Sequence, residues 1–373
     1  MASSSNNFKG VFLATAAAAL FGISTPLAKL LQLEVQPIML ASLFYLGTGI
    51  GFALLATGSL LKTKQSNTML LRRADLPALA LVVCAGGIFA PACLMLGLSH
   101  CSASSASLLL NIEGVFTALI AWIYFHENCD RKIILGMLAI TAGGAMLSYN
   151  PTSGVFFAPK LNDLSGQILI LLACLGWAVD NNFTRQIAAA DAKQIAMIKG
   201  LVAGSCNLAL ALSLNQHVPS FYAIAAAMLV GFIGYGLSLV LYVTALRELG
   251  SARTSAYFAT APFLGALVSL FVFHESLTLQ LGLAAIFMGA GVYLHLSEKH
   301  EHWHEHDELE HEHEHVHDIH HDHDHEPDHK NNSEEKPIFQ KDGSEIAHTH
   351  KHQHKALSHS HIHYPDLHHR HRH

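Results

Sequence analysis

Thr117–Glu127 reads TALIAWIYFHE and Gly265–Glu275 reads GALVSLFVFHE, an internal echo at an offset of 148 residues that pairs Phe125, His126 and Glu127 with Phe273, His274 and Glu275. Shortly after each copy, LGMLAITAG from Leu135 matches LGLAAIFMG from Leu281. Further upstream, LFGISTPLAK lies over GWAVDNNFTR, so Phe21 meets Trp177, Ser24 meets Asp180 and Lys29 meets Arg185. The chain is written twice.

Each copy holds five apolar runs long enough to cross a hydrocarbon core about 30 Å thick as a helix. The ten runs fall near 10–28, 36–58, 76–98, 103–125, 132–149, 166–184, 194–214, 219–243, 253–273 and 278–296. In lipid every backbone N–H and C=O must be satisfied within its own segment, so these runs predict an all-α membrane protein. The first run has only Lys9 before it and continues past any small-residue cleavage site, so it reads as a retained helix and not a cleaved signal.

Because five is odd, the second copy enters the membrane inverted. Ten transmembrane helices in two inverted-topology repeats predict a site between the halves near the bilayer midplane, exposed by rocking. Channels, receptors and membrane enzymes do not need this symmetry. The expected domains are 1–150 and 151–297, one repeat each, followed by a tail over 298–373.

Charge separates that tail from the rest. Up to Ser297 there are 14 Lys+Arg, 10 Asp+Glu and 5 His, whereas from Glu298 onward there are 8, 18 and 24. The formal charge is therefore +4 before the tail and −10 within it, together the −6 of the whole chain. With both termini cytoplasmic, the inside loops hold Lys9, Lys62, Lys64, Arg72, Arg73, Arg131, Lys132, Arg185, Lys193, Arg247 and Arg253, and the outside keeps Lys29 and Lys160. This satisfies the positive-inside rule and places the tail in the cytoplasm.

The sequence resembles the EamA-type transporters of the drug/metabolite transporter superfamily over nearly all of residues 8–296. SASSASLLLNIEGVFTALIAWIYFHE with LGMLAITAGGAML, and ALRELGSARTSAYFATAPFLGALVSLFVFHE with LGLAAIFMGAG, carry the likeness. The resemblance implies a ten-helix secondary carrier, many relatives being exporters of amino acids or other small metabolites. It departs at Glu113–Gly114, where many relatives have Glu-Pro; the second copy has Ala261–Pro262. The histidine tail is not part of the family pattern.

Glu113 falls mid-helix, where an ionised carboxylate in hydrocarbon is costly; it reads as a proton relay or a counter-charge for a cationic substrate, against a structural acid joining two helices. Asn111, two residues before it, is a candidate for either role. Asp180, Asn181 and Asn182 are awkward in lipid unless they face an interior or the helix ends before them. Trp177, Tyr235, Tyr257 and Phe258 are candidates for an aromatic cavity wall, although packing alone accounts for such residues. Lys29 and Arg185 read as snorkelling to the interface. His126/Glu127 and His274/Glu275 read as helix termini on opposite sides, unable to share a metal. Pro26, Pro91 and Pro262 mark kinks. The six cysteines lack a C-x-x-C pair and read as packing. No P-loop G-x-x-x-x-G-K-[ST] is present, so ATP is not the energy source implied.

In the tail, His302, His304, His306, His311, His313, His315, His317, His320, His321, His323, His325 and His329 alternate with or adjoin carboxylates. Imidazole and carboxylate suit Zn, Ni or Co, and the multiplicity of ligands points to a loose buffer. Low apolar content predicts disorder without metal. The alternative is a solvated pH-responsive tail.

Three functions follow. One is gradient-driven carriage of a small organic metabolite, with no cofactor for the core; the second is carriage of a divalent metal that the tail captures or delivers; the third is a membrane-anchored metal sensor or buffer that transports nothing, against which the repeat argues, since an anchor needs no ten helices. The partners expected are the lipid bilayer and a small-molecule or ion substrate, with no nucleic acid and no enzymatic role. A plasma or inner membrane is the default location, and a homodimer is one arrangement the sequence leaves open.

Overall fold

A computed structural model describes residues 2–60, 75–125, 131–148, 161–184, 187, 191–249, 251–296, 301–306, 309–315, 348–354 and 357–362. Two compact units form, the helical one through Glu298 and a second over Lys299–His363.

The helices are α1 (Ala2–Leu31), α2 (Pro37–Leu60), α3 (Leu76–His100), α4 (Ala103–Tyr124), α5 (Arg131–Ser148), α6 (Leu161–Thr184), α7 (Ala192–Ser213), α8 (221–249), α9 (251–272) and α10 (Leu279–Leu296). Seven of them, α1–α4 and α6–α8, are long and apolar enough to cross a membrane. Ten such spans were expected, and these seven are shown among the described residues. Arg131 and Lys132 open the 18-residue α5, a break leaves α9 an apolar stretch of 12 residues, Ala261–Val272, and α10 runs over 18 residues.

Two kinds of irregularity recur in both halves. A π-turn widens α3 at Val83–Phe89 and α8 at Phe232–Leu237. A break interrupts α4 at Leu110–Asn111 and α9 at Ala259–Thr260. Packing repeats too: α1 lies on α8 and α9 as α6 lies on α3 and α4, and α2 meets α8 as α7 meets α3. The remaining main pairs, α2 with α7, α4 with α9 and α5 with α10, join corresponding helices. This is the pattern a two-fold relation between the halves requires.

Between helices in lipid no hydrophobic driving force operates, so close backbone approach between small residues does the packing. A Cβ on Gly200 of α7 would stand 2.5 Å from the Gly49 nitrogen of α2, so only glycine fits that crossing. Phe44, Met39, Leu94, Met95, Leu98 and Ile170 are fully buried, whereas Phe12, Ile123, Tyr222, Phe271 and Ile286 are exposed on the outside. An apolar exterior of that kind suits lipid.

In the second unit, β1 (Glu301–His306) pairs antiparallel with β4 (Leu357–Ile362), and β2 (Leu309–His315) pairs with β3 (His348–His354). The H-x-H alternation of these segments has the two-residue period of a strand. The register sets His302 opposite His361, His304 opposite His359, and His311, His313 and His315 opposite His352, His350 and His348. His306 faces Leu357 in register, and His317, His320, His321, His323, His325 and His329 lie outside the described residues.

Candidate functional site

The site begins with a missing proton on Pro91. In an α-helix the nitrogen of residue 91 would serve the Gly87 carbonyl, and in a π-turn it would serve Gly86; proline serves neither. The Ala90 N–H already bonds Ala85 in the π register. Both glycine carbonyls are therefore free to face side chains. Gly86 accepts from the Tyr45 hydroxyl at 2.7 Å and the Trp177 indole N–H at 3.1 Å, while Gly87 accepts from Asn207 at 3.3 Å. Those bonds fix two aromatic rings from opposite halves of the chain.

The absence of a side chain at Gly86 also makes room for a carboxylate, since a Cβ there would meet Asp180 Oδ2. Asp180 is ion-paired with Lys199 of α7 and accepts from Thr184 Oγ1 at 3.0 Å. Both charged side chains are largely buried, at 8% and 14% exposure. One turn of α6 away from Thr184, Asn181 donates to Glu113 Oε1 at 2.7 Å. Asn182 donates to the Thr117 and Ala178 carbonyls at 3.1 and 2.9 Å, fastening α6 to α4. Asn181 adjoins Asp180 on α6, so its bond to Glu113 ties that carboxyl to the helix that carries the ion pair.

Tyr235, in the second π-turn, is the hub of an aromatic cluster. Its ring centroid lies 5.7 Å from Phe21, 5.5 Å from Phe44, 5.7 Å from Tyr45 and 6.4 Å from Trp177. Phe258 closes the far side, 5.5 Å from Phe21 and 4.8 Å from Tyr242. The result is a polar pole of two carboxylates and one ammonium beside an apolar pole of rings, at the seam of the halves. With all three ionised, the pole carries one uncompensated negative charge.

Of the residues singled out from sequence, Glu113, Asp180, Asn181, Asn182, Trp177 and Tyr235 come together. Asp180 to Asn182 lie within α6, which continues to Thr184, so the helix does not end before them. Asn111 stays apart: buried at the break in α4, it donates to the Leu108 carbonyl. Tyr257 is exposed, and it is its neighbour Phe258 that joins the rings. The Lys29 ammonium donates to the Leu98 carbonyl near the end of α3. Arg185, His126 and Glu127 lie outside the described residues. Sequence reading passed over Lys199, Tyr45, Phe44 and Tyr242. A lysine within an apolar run was a usable signal; an aromatic within one was not.

A sequence profile of the EamA-like transporter family matches residues 8–149 and again 164–297. The chain belongs to the EamA-like transporter family. This transporter, with its family, falls in the drug/metabolite transporter superfamily. It is 26% identical over 285 residues to an uncharacterized transporter of Methanothermobacter thermautotrophicus, spanning 74% of this chain and 82% of that one. It is 24% identical over 233 residues to a WAT1-related protein of Arabidopsis thaliana, spanning 53% and 60%. A solved crystal structure of 17% identity has the same fold, with a TM-score of 0.55 over 76% of this chain and 94% of the other. The family places the EamA-like transporter in a lipid bilayer as an integral membrane protein that moves a small molecule.

Proposed function

We propose that this EamA-like transporter is a secondary-active exporter of a small organic metabolite that carries a protonated nitrogen and an apolar body. Alternating access arises between two inverted five-helix repeats, residues 1–150 and 151–297, with Glu113 as proton relay or counter-charge. The carrying observation is the seam site, where Asp180, Lys199 and Glu113 adjoin the Tyr235 ring cluster. Excess negative charge beside ring faces favours a cation, through Coulomb attraction and cation–π contact. The recurrence of both π-turns and both helix breaks supports the repeat. The carrier sits in a plasma or inner membrane with both termini cytoplasmic.

The metal reading rests on the tail. Among the described residues no group of three or more His, Cys, Asp or Glu is disposed to hold an ion. The tail histidines serve instead as a Zn, Ni or Co buffer. Purified transporter in proteoliposomes, given a panel of radiolabelled amines and zwitterions or Zn, Ni and Co under an imposed pH gradient, tests both. Uptake of an amine that fails in Asp180→Asn is expected; metal uptake with no organic uptake sinks the proposal in favour of the metal carrier.

A further inference from the structure

His274 has φ 51°, the left-handed conformation that ends α9 one residue past Phe273. The turn throws the next side chain, Glu275, across the seam onto the start of α4. There its carboxylate accepts from the Ala103 N–H at 3.0 Å, the Ser104 N–H at 3.3 Å and the Ser104 hydroxyl. Ser102 accepts from the Ser105 N–H at 3.3 Å, and the Ala106 N–H bonds the Ser102 carbonyl. The first donors of α4, left without partners by helix geometry, are thus capped partly by a residue from the opposite half of the chain.

Other bonds at this same end also cross between halves. Gln216, beyond α7, accepts from the Met39 N–H of α2 at 2.8 Å, and Gln280 of α10 donates to the Met146 carbonyl of α5. Within the first half, Lys29 and Gln32 of α1 bond the Leu98 and Met95 carbonyls of α3. All of these lie where α1, α3, α7 and α9 finish and α2, α4 and α10 begin, the end away from Lys9.

We infer that Glu275 is the clasp of a gate at this end, holding the halves together in the conformation described and releasing α4 when the site opens there. A carboxylate on helix N–H groups and a hydroxyl forms charge-assisted bonds, strong enough to hold and few enough to break. The inference rests on the alternating-access reading, since a clasp is needed only if the ends part.

Double electron–electron resonance on the full chain in proteoliposomes tests it. Spin labels go on Leu33→Cys and Val218→Cys, exposed positions of opposite halves at the clasped end, with the six native cysteines replaced. Two distances are expected in the otherwise wild-type protein, the shorter one dominant. Glu275→Gln removes the charge and raises the ratio of long to short by about tenfold, the scale of one lost charge-assisted bond. Ser104→Ala removes only the hydroxyl and raises it about threefold, keeping the test open if the first variant does not fold. Two distances in unchanged proportion overturn the clasp and leave alternating access standing, with Glu275 merely capping α4. A single wild-type distance that both variants leave in place overturns the clasp, and its singleness counts separately against alternating access.

Discussion

Asp180 and Lys199 hold each other in a membrane interior where neither charge is tolerable alone. Removing one partner strands the other, at a cost of ~3–5 kcal/mol, while a well-packed apolar pair in place of both is close to neutral. Asp180→Asn or Lys199→Met alone is therefore expected to lower the melting temperature in detergent. The double Asp180→Leu, Lys199→Met is expected to melt near wild type, yet all three lose transport. Melting curves beside proteoliposome uptake check this, and a double variant that transports normally would remove the pair from the site. Glu113→Gln keeps a carbonyl for Asn181 but no exchangeable charge. Substrate exchange should survive while gradient-driven uptake falls by about tenfold or more, within the range that proton-transfer groups supply. Of this chemistry the sequence made Glu113, Asp180, Asn181 and Asn182 conspicuous, because polar groups in apolar runs need a reason. Tyr45 and Phe44 could not be told from core residues, since rings in hydrocarbon satisfy packing and binding alike.

At the scale of the helix, the π-turn of α3 creates the acceptors that orient Tyr45 and Trp177. Pro91→Ala restores a donor to that turn, so the backbone can reclaim a glycine carbonyl. Thermal stability is expected to hold or rise while transport drops, a divergence that melting and uptake together reveal. Loss of stability with unchanged transport would separate the π-turn from function. The three prolines were readable as kinks, and Pro91 marks the turn in α3. The matching turn in α8 contains no proline and hence no comparable signal; its Gly-rich stretch Gly231–Gly236 was indistinguishable from helix packing. Pro262 likewise stands just past the break in α9, whereas the break in α4 was hidden inside a continuous apolar run, where hydropathy measures length and not continuity.

Across the whole molecule, the two halves meet most intimately where α2 crosses α7. Gly200→Leu would drive a side chain into Gly49 and the Tyr45 carbonyl, so the variant is expected to lose both folded yield and transport, as size-exclusion profiles would show. Deleting residues 300–373 should leave transport of an organic substrate intact and abolish tight Ni or Zn binding, checked by uptake and by calorimetry on the same preparations. Altered uptake would tie the tail to the core. The duplication was legible because FHE recurs within apolar surroundings of the same pattern, and the family profile matches the chain twice.

The position of Trp177 has a practical corollary. The chain has three indoles: Trp122 is 46% exposed, Trp303 lies on β1, and Trp177 is wedged among the rings with its N–H on Gly86. With Trp122 and Trp303 changed to phenylalanine, ultraviolet emission would arise from the interior alone. Its wavelength and quenching would then rank a library of unlabelled compounds by occupancy, without the natural cargo having to be known beforehand.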